Sequence, residues 1–264
     1  MGSKIKNLFR KTGGFFKNLF FKSKNYILSY NAGSFIKRLL IVLLALALMN
    51  FGIACYYQCC LGTDPFSVFV DGEHSLFNLT YGQCTLINNL FLFAFMLLTM
   101  RKYIHVGSII GVFISGWLID LFNDLIGKFM ASLAEKYVLA AQISLLLIGL
   151  VAFAVSVGLY INADMGISAV EGIVLWLEEK TKINARWLRI AEDIFFMLLG
   201  MLLGGLAGRT VFGINPDLAP LTGIGTIVGA FGTGPIMKWF MDVTEKPFKK
   251  WFGPLRKTEA AKEA

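Results

Sequence analysis

The stretch QCCLGTDPFSVFV (residues 58–70) has a counterpart 104 residues later, NADMGISAVEGIV (residues 162–174), and this pairing determines the predicted fold. The spacing places Gly62 over Gly166 and continues without a gap from the first apolar segment of each half into the second. Internal similarity at a fixed spacing indicates a fold built from two copies of one unit.

The repeat extends to a third apolar segment once an insertion in the second half is allowed for. HVGSIIGVFISGWLIDLF (residues 105–122) then aligns with TGIGTIVGAFGTGPIMKWF (residues 222–240) at a spacing of 118, which also places Asp120 over Lys238. The aligned glycines are Gly107, Gly111 and Gly116 over Gly225, Gly229 and Gly234. Small residues spaced in this way let membrane helices approach closely. The expected role of Asp120 and Lys238 is to anchor their helices at the membrane interface.

Composition identifies the class of protein. Of the 264 residues, 56% are hydrophobic and only 16% are charged, which would leave a soluble globule with too much apolar surface. A bilayer core about 30 Å thick needs roughly 20 apolar residues per helical span. Six segments approach that length: 39–60, 82–100, 106–124, 138–160, 187–206 and 223–240. The sequence therefore predicts an integral membrane protein with about six spans.

The repeat predicts how the spans are arranged. Each copy, residues 37–124 and residues 138–241, holds three spans, so the second copy must enter the membrane from the opposite side. The predicted fold is an all-α polytopic membrane domain made of two inverted-topology repeats, each with a short extra helix after its first span. This architecture is common in secondary transporters.

The basic residues indicate the orientation rather than a nucleic-acid surface, because they concentrate at the chain ends and in alternate loops despite the net charge of +8. Both termini are expected in the cytoplasm. The basic arm, residues 1–36, suits an amphipathic segment on anionic lipid or a tail that only fixes topology, and residues 242–264 form a basic cytoplasmic tail.

A helix-start signal follows each repeated glycine. Asp64 is placed to cap a helix that begins at Pro65, and Ser168 with Glu171 forms a capping box. The apolar segments that follow, FSVFV and VEGIVLWL, are too short to span and end at charged residues. They are either interfacial helices or re-entrant half-helices whose N-termini would attract an anionic group near the membrane midplane.

A polar pair lies inside the second span of each repeat. The spacing of 104 places Asn88 and Asn89 under Glu192 and Asp193, and Arg189 precedes these acids by three and four residues. Carboxylates within a span are costly and usually face a cavity or a partner. Glu192 is therefore a candidate proton or cation carrier. In the structural alternative, Arg189 and Asp193 form an ion pair near the headgroups while Glu192 snorkels towards water.

Other chemistry has little support in the sequence. It holds no nucleotide-binding loop, catalytic triad or metal-ligand pattern, so no enzyme activity, cofactor or metal is expected. Cys59, Cys60 and Cys84 fall near the predicted outer ends of the first two spans, which is compatible with a disulfide of Cys84 to Cys59 or Cys60, although buried free thiols are the default. The Gly- and Pro-rich insertion after Gly205 suits a lid or a linker.

The chain resembles the bacterial YczE/YyaS/YitT family of integral membrane proteins. The resemblance rests on LGTDPFSV (61–68), HVGSIIGVFISGWLIDLF (105–122), GLYINADMGIS (158–168) and GIGTIVGAFGTGP (223–235). It implies a multi-pass protein of the bacterial plasma membrane with about five or six spans, and it carries no established activity.

Two functions from different classes fit these features. The first is a small secondary transporter or permease for an unidentified small solute, with an anionic solute and proton or cation coupling as the expectation. The second is a non-transporting scaffold or regulatory partner that docks through its basic ends. The glycine faces suit a homodimer or packing within one chain. The candidate binding residues are Glu192, Asp193, Asn88, Asn89, Arg189, Gly62, Asp64, Gly166 and Ser168.

Overall fold

A computed structural model describes residues 31–100, 103–213 and 219–253. These residues form eight helices: α1 (Ala32–Gln58), α2 (Pro65–Phe77), α3 (Tyr81–Thr99), α4 (Val106–Ala131), α5 (Glu135–Ala163), α6 (Ala169–Thr181), α7 (Ala185–Leu206) and α8 (Ile224–Phe252). Every predicted span coincides with a long helix, and each predicted short segment forms a helix of 13 residues.

Four helices, α1, α3, α4 and α5, are long and apolar enough to cross a membrane. Their outward surfaces carry large apolar side chains, among them Trp117 at 80% and Leu98 at 77% exposure. A soluble monomer rarely exposes so much apolar surface, so these faces are suited to lipid. α7 and α8 fall outside this set, because α7 carries four charges in its first half and α8 is rich in glycine.

The two halves share backbone features at the spacing that the sequence predicts. α2 and α6 begin, end and are capped at positions 104 residues apart, and α4 and α8 begin 118 residues apart. Left-handed backbone conformations occur at the same spacing, in Cys60 and Asp164, Gly62 and Gly166, and Asn78 and Lys182. Repetition of such rare conformations indicates that the sequence similarity reflects a shared local structure.

A reciprocal pair of backbone hydrogen bonds joins the halves. The amide of Gly225 at the start of α8 donates to the carbonyl of Leu61 at 2.7 Å, and the amide of Gly107 at the start of α4 donates to Met165 at 2.9 Å. Leu61 corresponds to Met165, and Gly107 corresponds to Gly225. The same contact made in both directions is the pattern that a two-fold relation between units produces.

The chain divides into two compact units, residues 39–245 and residues 1–38 with 246–264. In the larger unit the core lies between α1, α4 and α5 and includes Cys55, Tyr56, Ile126, Leu146 and Leu150. All four cysteines, including the Cys59, Cys60 and Cys84 that were considered for a disulfide, are free.

In the smaller unit, side chains of α1 bind the last carbonyls of α8. Lys37 donates to the carbonyl of Trp251 at 3.0 Å, and Arg38 donates to that of Gly253 at 3.2 Å. α8 thus continues to Phe252, into the segment that was assigned to the tail, and α1 begins at Ala32, within the segment assigned to the arm. The rest of the predicted arm and tail, residues 1–30 and 254–264, lies outside the described residues.

Candidate functional site

The short helix α2 lies alongside α7 and runs in the same direction. Near its start, the ring of Phe66 packs edge-on against Phe196, at the middle of α7, with centroids 5.1 Å apart. Further along, Gly72 meets Gly200, where a Cβ built on Gly72 would lie 2.5 Å from the carbonyl oxygen of Gly200. Only glycine permits this approach. The N-terminus of α2 therefore lies beside the middle of α7.

Asp64 occupies this N-terminus as the predicted cap. Its Oδ1 accepts a hydrogen bond from the amide of Ser67 at 3.2 Å, while its Oδ2 is buried with no hydrogen-bond partner among the described residues. Burial raises the pKa of Asp64, and the Ser67 hydrogen bond and the charge of Arg189 oppose that rise. Arg189 thus lies within electrostatic range of Asp64.

The second short helix, α6, lies along α3 in the corresponding way. Its cap is the predicted capping box, in which Ser168 Oγ accepts from the amide of Glu171 at 3.3 Å and Glu171 accepts from the amide of Ser168. Ala169 packs with Met96, and a Cβ built on Gly172 would lie 3.0 Å from Met96 Cε. Both predicted caps are confirmed.

The predicted charged group on α7 is present as a loose ion-pair cluster. Arg189 lies 3.6 Å from Glu192 and 3.5 Å from Asp193. The Glu192 side chain is only 7% exposed, whereas those of Asp193 and Arg189 are 36% and 44% exposed. Neither oxygen of Glu192 has a hydrogen-bond partner among the described residues. Glu192 therefore does not snorkel to the surface, which corrects that part of the structural alternative.

Acids outnumber bases in this cluster. Arg189 interacts electrostatically with four carboxylates, those of Asp193, Glu192, Glu171 and Asp64. The charges at the caps of α2 and α6 thus act on the first half of α7. Glu171 was expected only to cap α6, and its approach to Arg189 follows from the packing of α6 against α7, which sequence spacing does not reveal.

The remaining predicted site residues lie elsewhere or support the backbone. Asn88 donates to Glu73 on α2, and no hydrogen bond joins it to Glu192 in the described structure. Asn89 is partly buried. Gly62 and Gly166 have φ of 94° and 115°, so they set the turns that lead into α2 and α6.

A second ion pair, between a partly exposed arginine and a buried aspartate, connects the inserted segment to α2 and was not predicted from the sequence. Arg209 lies 3.6 Å from Asp71, donates to Ser75 Oγ at 3.0 Å and donates to the carbonyl of Ala219 at 2.9 Å. Burial raises the pKa of Asp71, and the charge of Arg209 opposes the rise. The apolar segment ends at Asp71 as expected, and α2 continues beyond it to Phe77.

Replacing Arg209 with alanine is expected to lower the free energy of unfolding by about 2 kcal/mol, because it leaves the Asp71 carboxylate buried without its partner. The additional change Asp71→Asn should recover most of the loss. The exposed pair of Lys128 and Asp124 supplies the control, since Lys128→Ala should cost less than about 0.5 kcal/mol. Denaturant titration in detergent measures all of these variants. Equal losses for Arg209→Ala and Lys128→Ala would contradict the buried pair.

Asp120, for which interfacial anchoring was expected, binds the start of α3. Its carboxylate accepts hydrogen bonds from the amide of Gly82 at 2.7 Å and from Thr80 Oγ1 at 2.6 Å. Asp120 on α4 thus binds free donors at the start of α3, where the helix dipole also favours an acid. The aligned Lys238 has no such role in the described contacts.

Metal ligands do not converge in the part of the chain that the structure describes, where no group of three or more histidine, cysteine, aspartate or glutamate side chains is placed to hold a metal ion.

Comparisons with known proteins identify the family. Residues 36–242 match a family of unknown function, DUF6198. The chain is 25% identical to the uncharacterised membrane protein YczE of Bacillus subtilis, over 74% of this chain and 80% of that protein. It is 24% identical to the uncharacterised protein YyaS of the same organism, over 78% and 92%. An uncharacterised protein of Haemophilus influenzae is 22% identical, over 81% and 89%.

No solved structure matches the chain. The family match covers most of the sequence, and the similarity to YczE and YyaS confirms the resemblance seen in the motifs. Together with the four apolar helices, it indicates a membrane protein. The chain belongs to the DUF6198 family.

Proposed function

We propose that this protein is a small secondary transporter or permease whose six spans form two inverted-topology repeats. The repeated backbone conformations and the reciprocal bonds of Gly225 and Gly107 support two related units. α7 and α8 serve as the fifth and sixth spans, because each occupies the position that a span holds in the first half. An odd number of spans per unit then inverts the second unit.

In this proposal the short helices are re-entrant rather than interfacial. α2 follows α7 over most of its length, with Phe66 at the middle of α7 and Gly72 at Gly200. A helix parallel to a span crosses part of the membrane, whereas an interfacial helix would lie across the spans. Broken helices of this kind are tolerated where they are buried in protein, as the buried face of α2 is.

The observation that carries the proposal is the buried Glu192 carboxylate. It lies on α7, pairs loosely with Arg189 at 3.6 Å, and has no hydrogen-bond partner for either oxygen among the described residues. An ionisable group in such a place is expensive and is typically retained for ion or proton movement. Glu192 is the proposed proton or cation carrier, and Arg189 and Asp193 adjust its charge balance.

The distribution of basic residues along the chain supports a cellular location and an orientation. We place the protein in the bacterial plasma membrane with both termini in the cytoplasm, since basic residues flank the first span. The basic arm contacts anionic lipid in this proposal. The mass of the purified protein in solution tests whether it forms a homodimer.

Glu192→Gln is expected to abolish ion-coupled flux while the protein remains folded. The substitution keeps the shape of the side chain and removes its ability to carry a proton or a cation. Proteoliposomes containing the purified protein are given a pH gradient and a panel of amines, amino acids and carboxylates, and a pH-sensitive dye follows proton movement.

Asp124→Asn is the matched control, because Asp124 is an exposed acid paired with Lys128. This variant should keep the flux of the unchanged protein. Unchanged flux in Glu192→Gln would remove Glu192 from the mechanism. If the unchanged protein moves neither protons nor any solute, the result favours the alternative of a membrane scaffold or regulatory partner. Deletion of residues 2–34 should then abolish that docking activity.

A further inference from the structure

We propose that the charged cluster of α2, α6 and α7 binds an organic cation, such as an amine with an apolar body. The inference rests on the proposed function for its transport role, but the binding itself is a separate property of the site. It differs from the expectation of an anionic solute, which came from the helix N-termini alone.

The balance of charge is the first argument. Arg189 lies beside Glu192 and Asp193, and the charges of Glu171 and Asp64 also act on it, so acids exceed bases by three when all are ionised. The charges that act on Glu192 are those of Arg189, Asp193 and Glu171, two of which are negative. A bound cation would reduce this repulsion, and a bound anion would increase it.

The helix N-termini do not reverse this preference, because acids already occupy them. Asp64 accepts the Ser67 amide at the start of α2, and Glu171 accepts the Ser168 amide at the start of α6. A side-chain cap satisfies one of the free N–H groups of a helix start, and a carboxylate in the first turn partly offsets the helix dipole. An anionic solute would have to displace these side chains.

Glu192 supplies the second, independent observation. Its side chain is 93% buried, its oxygens have no hydrogen-bond partner in the described chain, and Arg189 lies beyond hydrogen-bond range at 3.6 Å. A carboxylate that is removed from water in this way gains strongly from a ligand with N–H donors. Asp64 Oδ2, also buried and without a partner, offers a second acceptor near the same cluster.

Aromatic side chains next to the acids indicate an organic ligand. Phe196 lies one helical turn beyond Glu192, and its ring packs against Phe66 and Phe69 at 5.1 and 5.5 Å. Aromatic faces attract ammonium groups and bury apolar groups. An ammonium group on an apolar body would combine both kinds of contact, a charged contact with the acids and an apolar contact with these rings.

Arg189 is the resident competitor in this arrangement. It pairs loosely with Glu192 and Asp193, and its side chain is 44% exposed, so it can move towards solvent when a ligand cation binds. The resulting exchange of one cation for another preserves the charge of the site.

Calorimetric titration of the purified full-length protein tests the inference with three probes of similar shape: 2-phenylethylammonium, 2-phenylethanol and phenylacetate. The ammonium should bind at least about tenfold more tightly than the other two. Glu192→Gln should weaken ammonium binding at least about tenfold, and Asp193→Asn should weaken it less because Asp193 is more exposed.

Arg189→Gln gives the sharpest result, because the two charge preferences predict opposite signs. If Arg189 competes with the ammonium, its removal should strengthen ammonium binding. If Arg189 instead binds an anion, its removal should weaken phenylacetate binding and should not strengthen ammonium binding. Tighter binding of phenylacetate than of the ammonium, weaker ammonium binding in Arg189→Gln, or no binding of any probe would overturn the inference. Thermal unfolding of each variant establishes that it is folded.

The same probes separate this inference from the transport proposal. Binding with the expected pattern, without movement of the ammonium into proteoliposomes, would support the cation site and contradict transport. Flux that depends on Glu192 together with a preference for phenylacetate would support transport and contradict the cation site.

Discussion

Gly200→Ala is expected to lower the free energy of unfolding by about 3 kcal/mol or more, one of the two largest effects that we expect. A Cβ at this position would lie 2.6 Å from Cα of Phe69, which real Cβ atoms do not tolerate. The obstacle is backbone rather than a flexible side chain, so α2 or α7 must shift. Any such shift also separates Phe66 from Phe196 and displaces Asp64 relative to Arg189.

Gly127→Ala is the matched control, since Gly127 also lies within a long helix. A Cβ there would meet only the Gln58 side chain, at an ordinary contact distance of 3.5 Å. Alanine favours a helix over glycine by up to about 1 kcal/mol, so this variant should be neutral or slightly more stable. Denaturant titration in detergent compares the two variants. Similar stabilities would contradict the close packing of α2 on α7.

The sequence predicted the positions of the helices because two strong local signals agreed. Apolar runs gave the long helices, and the caps Asp64 and Ser168 gave the starts of α2 and α6. The spacing of 104 aligned Gly62 with Gly166, and the structure shows that both have positive φ.

Local signals of this kind did not predict the contacts between distant segments of the chain. The bond of Arg209 to Asp71 joins residues far apart in the chain, and the role of Asp120 at the start of α3 depends on the packing of α3 against α4. Neither pair has a characteristic sequence spacing. The alignment of α2 with α7 likewise depends on tertiary packing, which helix length and capping leave undetermined.

The candidate site was predicted in part. Arg189, Glu192 and Asp193 were expected together because helical spacing places them on neighbouring faces of one helix. The sequence did not predict that the charges of Asp64 and Glu171 both act on Arg189. It also grouped Asn88 with Glu192, although Asn88 binds Glu73. Correspondence between repeats places residues at equivalent positions in separate units, and equivalence does not imply contact.

Opposite labelling of the two short helices is the second large effect that we expect. Phe77 and Thr181 are the last residues of α2 and α6, lie 104 positions apart and are both exposed. If the repeats are inverted, these two residues face opposite sides of the membrane. A reagent that cannot cross the membrane labels an accessible position almost completely and an inaccessible position hardly at all. The expected difference in labelling between the two positions is therefore large.

The most direct test of inverted repeats around a buried site is therefore cysteine labelling of Phe77→Cys and Thr181→Cys in intact cells. Both are made in a background from which Cys55, Cys59, Cys60 and Cys84 have been removed and whose unfolding matches the unchanged protein. An impermeant maleimide should label Phe77→Cys from outside, and should label Thr181→Cys only after the membrane is opened. Labelling of both positions from the same side would contradict the inverted repeats and the placement of the site between them.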